Sequence, residues 1–109
     1  MPILREWRAE IRRSMKVAYV DYVRATGIAG YRQTPGNLGA AVAARDLDDT
    51  RSEIVTLSWW ESLDSIRAFA GDPVDQARYF PRDNDFLLTR PETVVHYDVA
   101  HLAVPPAGE

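Results

Sequence analysis

The chain has 109 residues, one domain by length, with a net charge of −3 and no cysteine. That composition excludes disulfides, thiolate nucleophiles and cysteine-ligated zinc or iron–sulfur centres. The acidic balance gives no strong basic patch, so nucleic acid is not expected as a partner. At 46% hydrophobic and 27% charged, the chain reads as an ordinary globular domain that supports one core without staples.

No targeting segment is visible. "MPILREWRAEIRR" carries charge too early to hold an apolar leader core, and the uncharged stretch Gln33 to Ala44 is too short and too rich in Gly and Pro to span a bilayer. A cytoplasmic protein without membrane contact is expected. Arg5, Arg8, Arg12, Arg13 and Lys16 are interleaved with Glu6 and Glu10 and read as a solvated face. Residues 1–102 are expected to form the domain, and "AVPPAGE", 103–109, a flexible tail.

The first strand is predicted over Ile3 to Ala9, with Ile3, Arg5 and Trp7 on one face. Met15, Ala18, Tyr19, Tyr22, Val23 and Thr26 then fall on one helix face, with Ser14 as N-cap and Gly27 as stop. "TPGN", Thr34 to Asn37, places Pro and Gly as a type II turn requires. Gly39 to Leu47 reads as a strand of small residues, and "DLDDT" turns it into the strong β signal of Glu53 to Trp60. Ser62 is a good N-cap for the next helix and Gly71 a good stop. Asp72-Pro73 would start a second short helix running to about Phe80, since Pro suits the first helical position. An acidic loop follows, and Thr93 to Leu102 is the last strand.

The order βαββαβ is the split βαβ arrangement, an α+β ferredoxin-like fold with an antiparallel sheet and helices on one face. Val55, Leu57 and Trp59 oppose Ile54, Thr56, Ser58 and Trp60, and Val95 and Tyr97 oppose Val94 and His96. Both faces carry apolar side chains while helices cover only one. A homodimer with facing sheets would cover the other.

"WES" at Trp60 to Ser62, "IRAFAG" at Ile66 to Gly71, "YFP" at Tyr79 to Pro81, "HYDV" at His96 to Val99 and the "TPGN" turn resemble the antibiotic biosynthesis monooxygenase superfamily, the dimeric α/β-barrel proteins. The resemblance implies that dimer barrel. Its haem-degrading branch keeps a Trp and, ten residues on, a His ligand where this chain has Phe69 and Tyr79. That branch also has an Asn on the first strand, where Arg5 and Glu6 stand here. Haem cleavage of that type, and with it a haem cofactor, is not expected; no other cofactor is expected either. The cofactor-free, quinone-forming branch holds a polycyclic phenol between sheet and helices beside a Trp at the end of the third strand, and Trp60 matches it. The resemblance thus implies a cofactor-independent monooxygenase acting on a small aromatic or conjugated metabolite. The alternative is a non-catalytic ligand-binding or stress-response dimer of the same fold.

Trp59 and Trp60 face opposite sides of a strand, and the expectation assigns Trp60 to the site and Trp59 to packing. Phe69 and Tyr79 are expected to bind substrate. His96, whose ordinary pKa lies near neutrality, is the expected catalytic proton acceptor. His101 lies near the tail and is read as bland. Tyr79, Phe80 and Phe86 flank the loop Arg82 to Asp85, as a lid or as ligand contacts. Asp83 and Asp85 are too few for a metal site, and no metal is expected. No nucleophile elbow and no phosphate loop is present.

Overall fold

A computed structural model describes residues 1–104. Four strands, β1 (Ile3–Arg12), β2 (Asn37–Asp46), β3 (Arg51–Trp60) and β4 (Val95–Asp98), form one antiparallel sheet in the order β2-β3-β1-β4. Helix α1 (Lys16–Val23) runs through a π-helical turn (Arg24–Ile28) into α2 (Ala29–Gln33), and α3 (Leu63–Ala70) follows β3. This is the α+β ferredoxin-like arrangement, with β1 central and paired to β3 along its whole length, from Ile3 opposite Trp60 to Arg12 opposite Arg51.

Alternation along β1 and β3 sets the layering. Ile3, Arg5, Trp7, Ala9 and Ile11 are buried together with Ser52, Ile54, Thr56, Ser58 and Trp60 beneath the helices. The intervening side chains form the open face. The buried layer divides in two. One cluster gathers Trp7, Ala9, Ile11, Tyr19, Val23, Ile54, Phe86 and Val94. The other gathers Ile3, Tyr31, Trp60, Ile66, Phe69 and Ala70. On β1 the boundary between them falls at Arg5, and on β3 at Thr56.

Local signals behave as their chemistry demands at three points. Ser62 Oγ accepts from Ser65 N and caps α3, and Gly71 ends it at φ 79°. Gly36 sits at φ 90°, closed by the Asn37 N–H to Thr34 carbonyl bond of 3.1 Å, as the type II turn requires. A Cβ at Gly36 would lie 2.4 Å from Ser65 Oγ, so this turn also seats the start of α3.

Four expectations need correction. Gly27 does not stop the first helix. The backbone passes through it in the π-helical turn and continues to Gln33, because Tyr31, buried against Trp60 and Phe69, needs the helix to reach it. Ser14 lies in a 3-10 turn (Arg13–Met15) and makes no capping bond. Residues 73–80 form no helix. Arg5 takes the carbonyls of Val74 and Gln76, Val94 N–H takes that of Asp75, and Ala77 N–H bonds Glu92. The acceptors that a helix would use are therefore spent across the chain. Finally, β4 spans only Val95–Asp98. Its one neighbour, β1, begins at Ile3 opposite Asp98, leaving Pro2 O to take Val99 N–H and nothing beyond. Of the tail expected at 103–109, residues 105–109 lie outside the described residues.

Candidate ligand-binding site

A cavity of about 30 Å³ lies where the two core clusters meet. Its floor is Arg5 and Trp7 of β1 with Thr56 of β3. Tyr19, Val23, Thr26, Gly27 and Tyr31 form the helical wall, Phe69 of α3 the far wall, and Arg78, Tyr79 and Phe80 the roof. Two of the helical lining residues come from the π-helical turn, an irregularity frequent at functional sites. The volume admits about two waters, so a ring enters only with movement of the roof.

Arg5 dominates the electrostatics. It is 2% exposed, although its charge suggested a solvated position. Nη1 donates to Val74 O at 2.9 Å and lies 3.0 Å from His96 Nε2; Nη2 donates to Gln76 O at 2.8 Å. Nε is buried without a partner. Burial lowers the guanidinium's pKa, with the Tyr31 hydroxyl acting against it, yet an arginine stays charged. The other members of the basic cluster face solvent: Arg8 pairs with Glu6 and Glu53, Arg13 and Lys16 pair with Asp46, and Arg12 is exposed.

Tyr31 Oη and Thr56 Oγ1 lie 3.2 Å apart and buried. Tyr79 Oη accepts from Trp7 Nε1 at 3.3 Å and donates to the Pro91 carbonyl. Burial raises the Tyr79 pKa, against smaller lowering influences from Trp7 and Arg90. Tyr19 is also raised, by burial and by Asp83. Asp83 is the acidic residue in the lining, and both its oxygens are engaged: Oδ1 accepts from Tyr19 Oη at 2.9 Å and Oδ2 from Phe80 N–H at 2.6 Å. Asp85 faces outward and pairs with Arg82. The acidic loop is therefore a strut that holds the roof to α1. Among the described residues no group of three or more metal-ligating side chains converges.

Of the four expected site residues, Phe69 and Tyr79 line the cavity; Trp60 and His96 do not. Trp60 is fully buried behind the wall, edge-on to Tyr31 and 6.1 Å from the Phe69 ring, with Nε1 donating to Ser58 Oγ at 2.8 Å. Trp59 is half-buried on the open face. His96 stands behind Arg5. Its Nε2 accepts from Arg5, which places the ring proton on Nδ1. Burial, then the neighbouring guanidinium, lowers its pKa, so it is neutral at neutral pH and its acceptor nitrogen is occupied. Sequence reasoning missed Arg5 as a site residue. The signal was present: one charged residue on an otherwise apolar inward face, Ile3-Arg5-Trp7-Ala9-Ile11.

No family model matches the sequence, and no curated protein matches it. Among solved structures, a Bacillus cereus protein assigned as an antibiotic biosynthesis monooxygenase superposes with a TM-score of 0.63 at 12% identity, over 94% of this chain and 98% of that one. Among the described residues no helix is long and apolar enough to cross a membrane. The chain shares the fold of the Bacillus cereus protein, an α+β ferredoxin-like sheet with its helices on one face.

Proposed function

We propose that this protein is a cofactor-independent monooxygenase of the cytoplasm that oxidises a small aromatic or conjugated metabolite, with residues 1–102 as its working domain. The observation that carries the reading is the aromatic-walled cavity floored by a buried guanidinium without a carboxylate partner. A phenol reacts with O₂ once deprotonated, because its anion gives up an electron. A fixed positive charge in a dry site stabilises that anion without reorganisation. Carbon–oxygen bond formation and loss of water then place one oxygen atom in the product as a quinone carbonyl and release the other as water. Phe69 and Tyr79 hold the ring, Trp60 backs Phe69, and His96 is a positioning residue that acts through Arg5. Oxygen uptake in step with quinone absorbance, on mixing the protein with hydroxynaphthalenes, is the expected result. Its absence with every phenol tried sinks the reading.

The non-catalytic alternative has one observation in its favour. Tyr19 and Tyr79 have pKa values raised away from neutrality, Asp83 has both oxygens engaged, and His96 stands outside the lining with its acceptor nitrogen occupied. Saturable binding of a phenol without oxygen uptake selects it.

Both readings include a homodimer. Leu4, Val55, Leu57, Trp59, Val95 and Tyr97 share the sheet face that the helices leave open, and Val95 and Tyr97 are about half exposed. A second copy seated on that face would bury this patch within an interface above about 1,000 Å². Sedimentation is expected to give a dimer at micromolar concentration, and Leu57→Asp a monomer. A wild-type monomer overturns the assignment.

A further inference from the structure

We propose that the cavity accepts an acidic oxygen of its ligand, as carboxylate, phenolate or enolate, and that Arg5 is the residue that sets this preference. The inference rests on reading the cavity as a ligand site and narrows it to a charge class.

Charge accounting carries it. The salt bridges among the described residues are made by cations that reach solvent, whereas Arg5 is 2% exposed and makes no salt bridge. Its partners are two neutral carbonyls and a neutral imidazole. A buried charge without a counter-ion in contact is costly, and the strut role toward Val74 and Gln76 occupies only the two terminal nitrogens. Nε–H is left over. A second guanidinium, Arg78, stands at the mouth, 4.7 Å from the Phe69 ring centroid and 5.0 Å from that of Phe80. Asp83 cannot neutralise Arg5, because both its oxygens are spent on Tyr19 and Phe80, and Asp75, whose charge does act on Arg5, is exposed and makes no salt bridge with it.

The neighbouring hydroxyls suit the same ligand. Tyr31 and Thr56 bring two O–H protons and share one hydrogen bond, so one proton remains to donate. An acidic oxygen placed there would receive Arg5 Nε–H and a hydroxyl, while the attached ring meets Trp7, Phe69 and Tyr79. Charge-assisted bonds of this kind are about twice as strong as neutral ones. A neutral carboxamide of the same shape presents one oxygen and an NH₂ group that would face a cation.

The test uses benzoate and benzamide on the wild-type protein, with ¹H–¹⁵N spectra of the arginine Nε–H groups and calorimetry. The expected result is benzoate binding at least about 10-fold tighter than benzamide, with the Arg5 Nε–H resonance shifted by benzoate. Tyr31→Phe and Thr56→Val are expected to weaken benzoate several-fold and leave benzamide little changed. Equal affinities, no saturable benzoate binding, or benzoate binding that leaves the Arg5 resonance in place overturns the proposal. The outcome is separate from that of the oxygenase reading. Benzoate selectivity without oxygen uptake from phenols removes only the oxygenase, and phenol turnover with benzamide binding as well as benzoate removes only the anion site.

Discussion

Trp60→Ala is expected to bring the domain close to unfolding. The indole is 0% exposed and is surrounded by Ile3, Tyr31, Ile66, Phe69 and Ala70. Truncating a buried aromatic of this size costs about 3–5 kcal/mol in lost transfer energy and cavity. The substitution also strands Ser58 Oγ, itself fully buried, which now accepts from Trp60 Nε1; an unsatisfied buried group adds about 1–3 kcal/mol. Against a total stability of about 5–15 kcal/mol for a domain, little margin is left. Trp59→Ala is the control. The two residues are adjacent and chemically identical, but Trp59 lies half-buried on the open sheet face. In the isolated protomer it is expected to cost well under half as much. Urea titrations followed by far-UV circular dichroism, with both substitutions placed in the monomeric Leu57→Asp background, check both. A Trp60→Ala midpoint within error of that of Trp59→Ala would show that the buried layer repacks, and would return Trp60 to a role in binding.

The same pair shows how far the sequence could be read. Alternation in β3 assigned the two indoles to opposite faces, because period-two geometry is local and the strand is long. Likewise, the capping chemistry of Ser62, the turn at Gly36 and the stop at Gly71 were legible, since each is decided within four residues. Gly27 and the stretch 73–80 were misread for the opposite reason. Gly27 is a sound stop by propensity, yet the burial of Tyr31 carries the helix past it. Pro73 is a sound helix start, yet a guanidinium some seventy residues earlier in the chain captures the carbonyls a helix would need. The site followed the same rule. Aromatic walls are implied by residue type, and Phe69 and Tyr79 do line the cavity. The polar floor depends on which charged side chain is turned inward at the seam between two clusters, so Arg5 was hidden in a run of basic residues that are otherwise solvated.

Arg5→Met is expected to destabilise the fold by about 2–4 kcal/mol, although it removes a buried charge that has no counter-ion. Two effects compete. Relief of desolvation favours the apolar side chain, and buried ion pairs replaced by apolar groups are often neutral or stabilising. Here, however, the partners are backbone carbonyls that remain in place. Val74 O and Gln76 O each lose a bond to a charged donor, worth about 1.5–3 kcal/mol, and the segment 73–80 has no helix of its own to fall back on. The loss of those bonds therefore wins. Acid titration supplies a second readout. Burial and Arg5 hold the His96 pKa below its ordinary value in the folded protein. The unfolded chain accordingly takes up the proton first as pH falls, and stability drops as pH is lowered from about 6.5, the ordinary histidine value, toward the folded-state pKa. That window lies above the ordinary carboxylate range, so Asp46 and Asp48, whose pKa values are lowered further by their hydrogen bonds, do not contribute to it. Arg5→Met removes one of the two causes, and the fall in stability between pH 7 and 5.5 is expected to shrink but persist, since burial remains. His96→Gln abolishes the histidine contribution in either background. A pH slope unchanged by Arg5→Met would mean that the guanidinium and the imidazole are not coupled, and the positioning role given to His96 would fall with it.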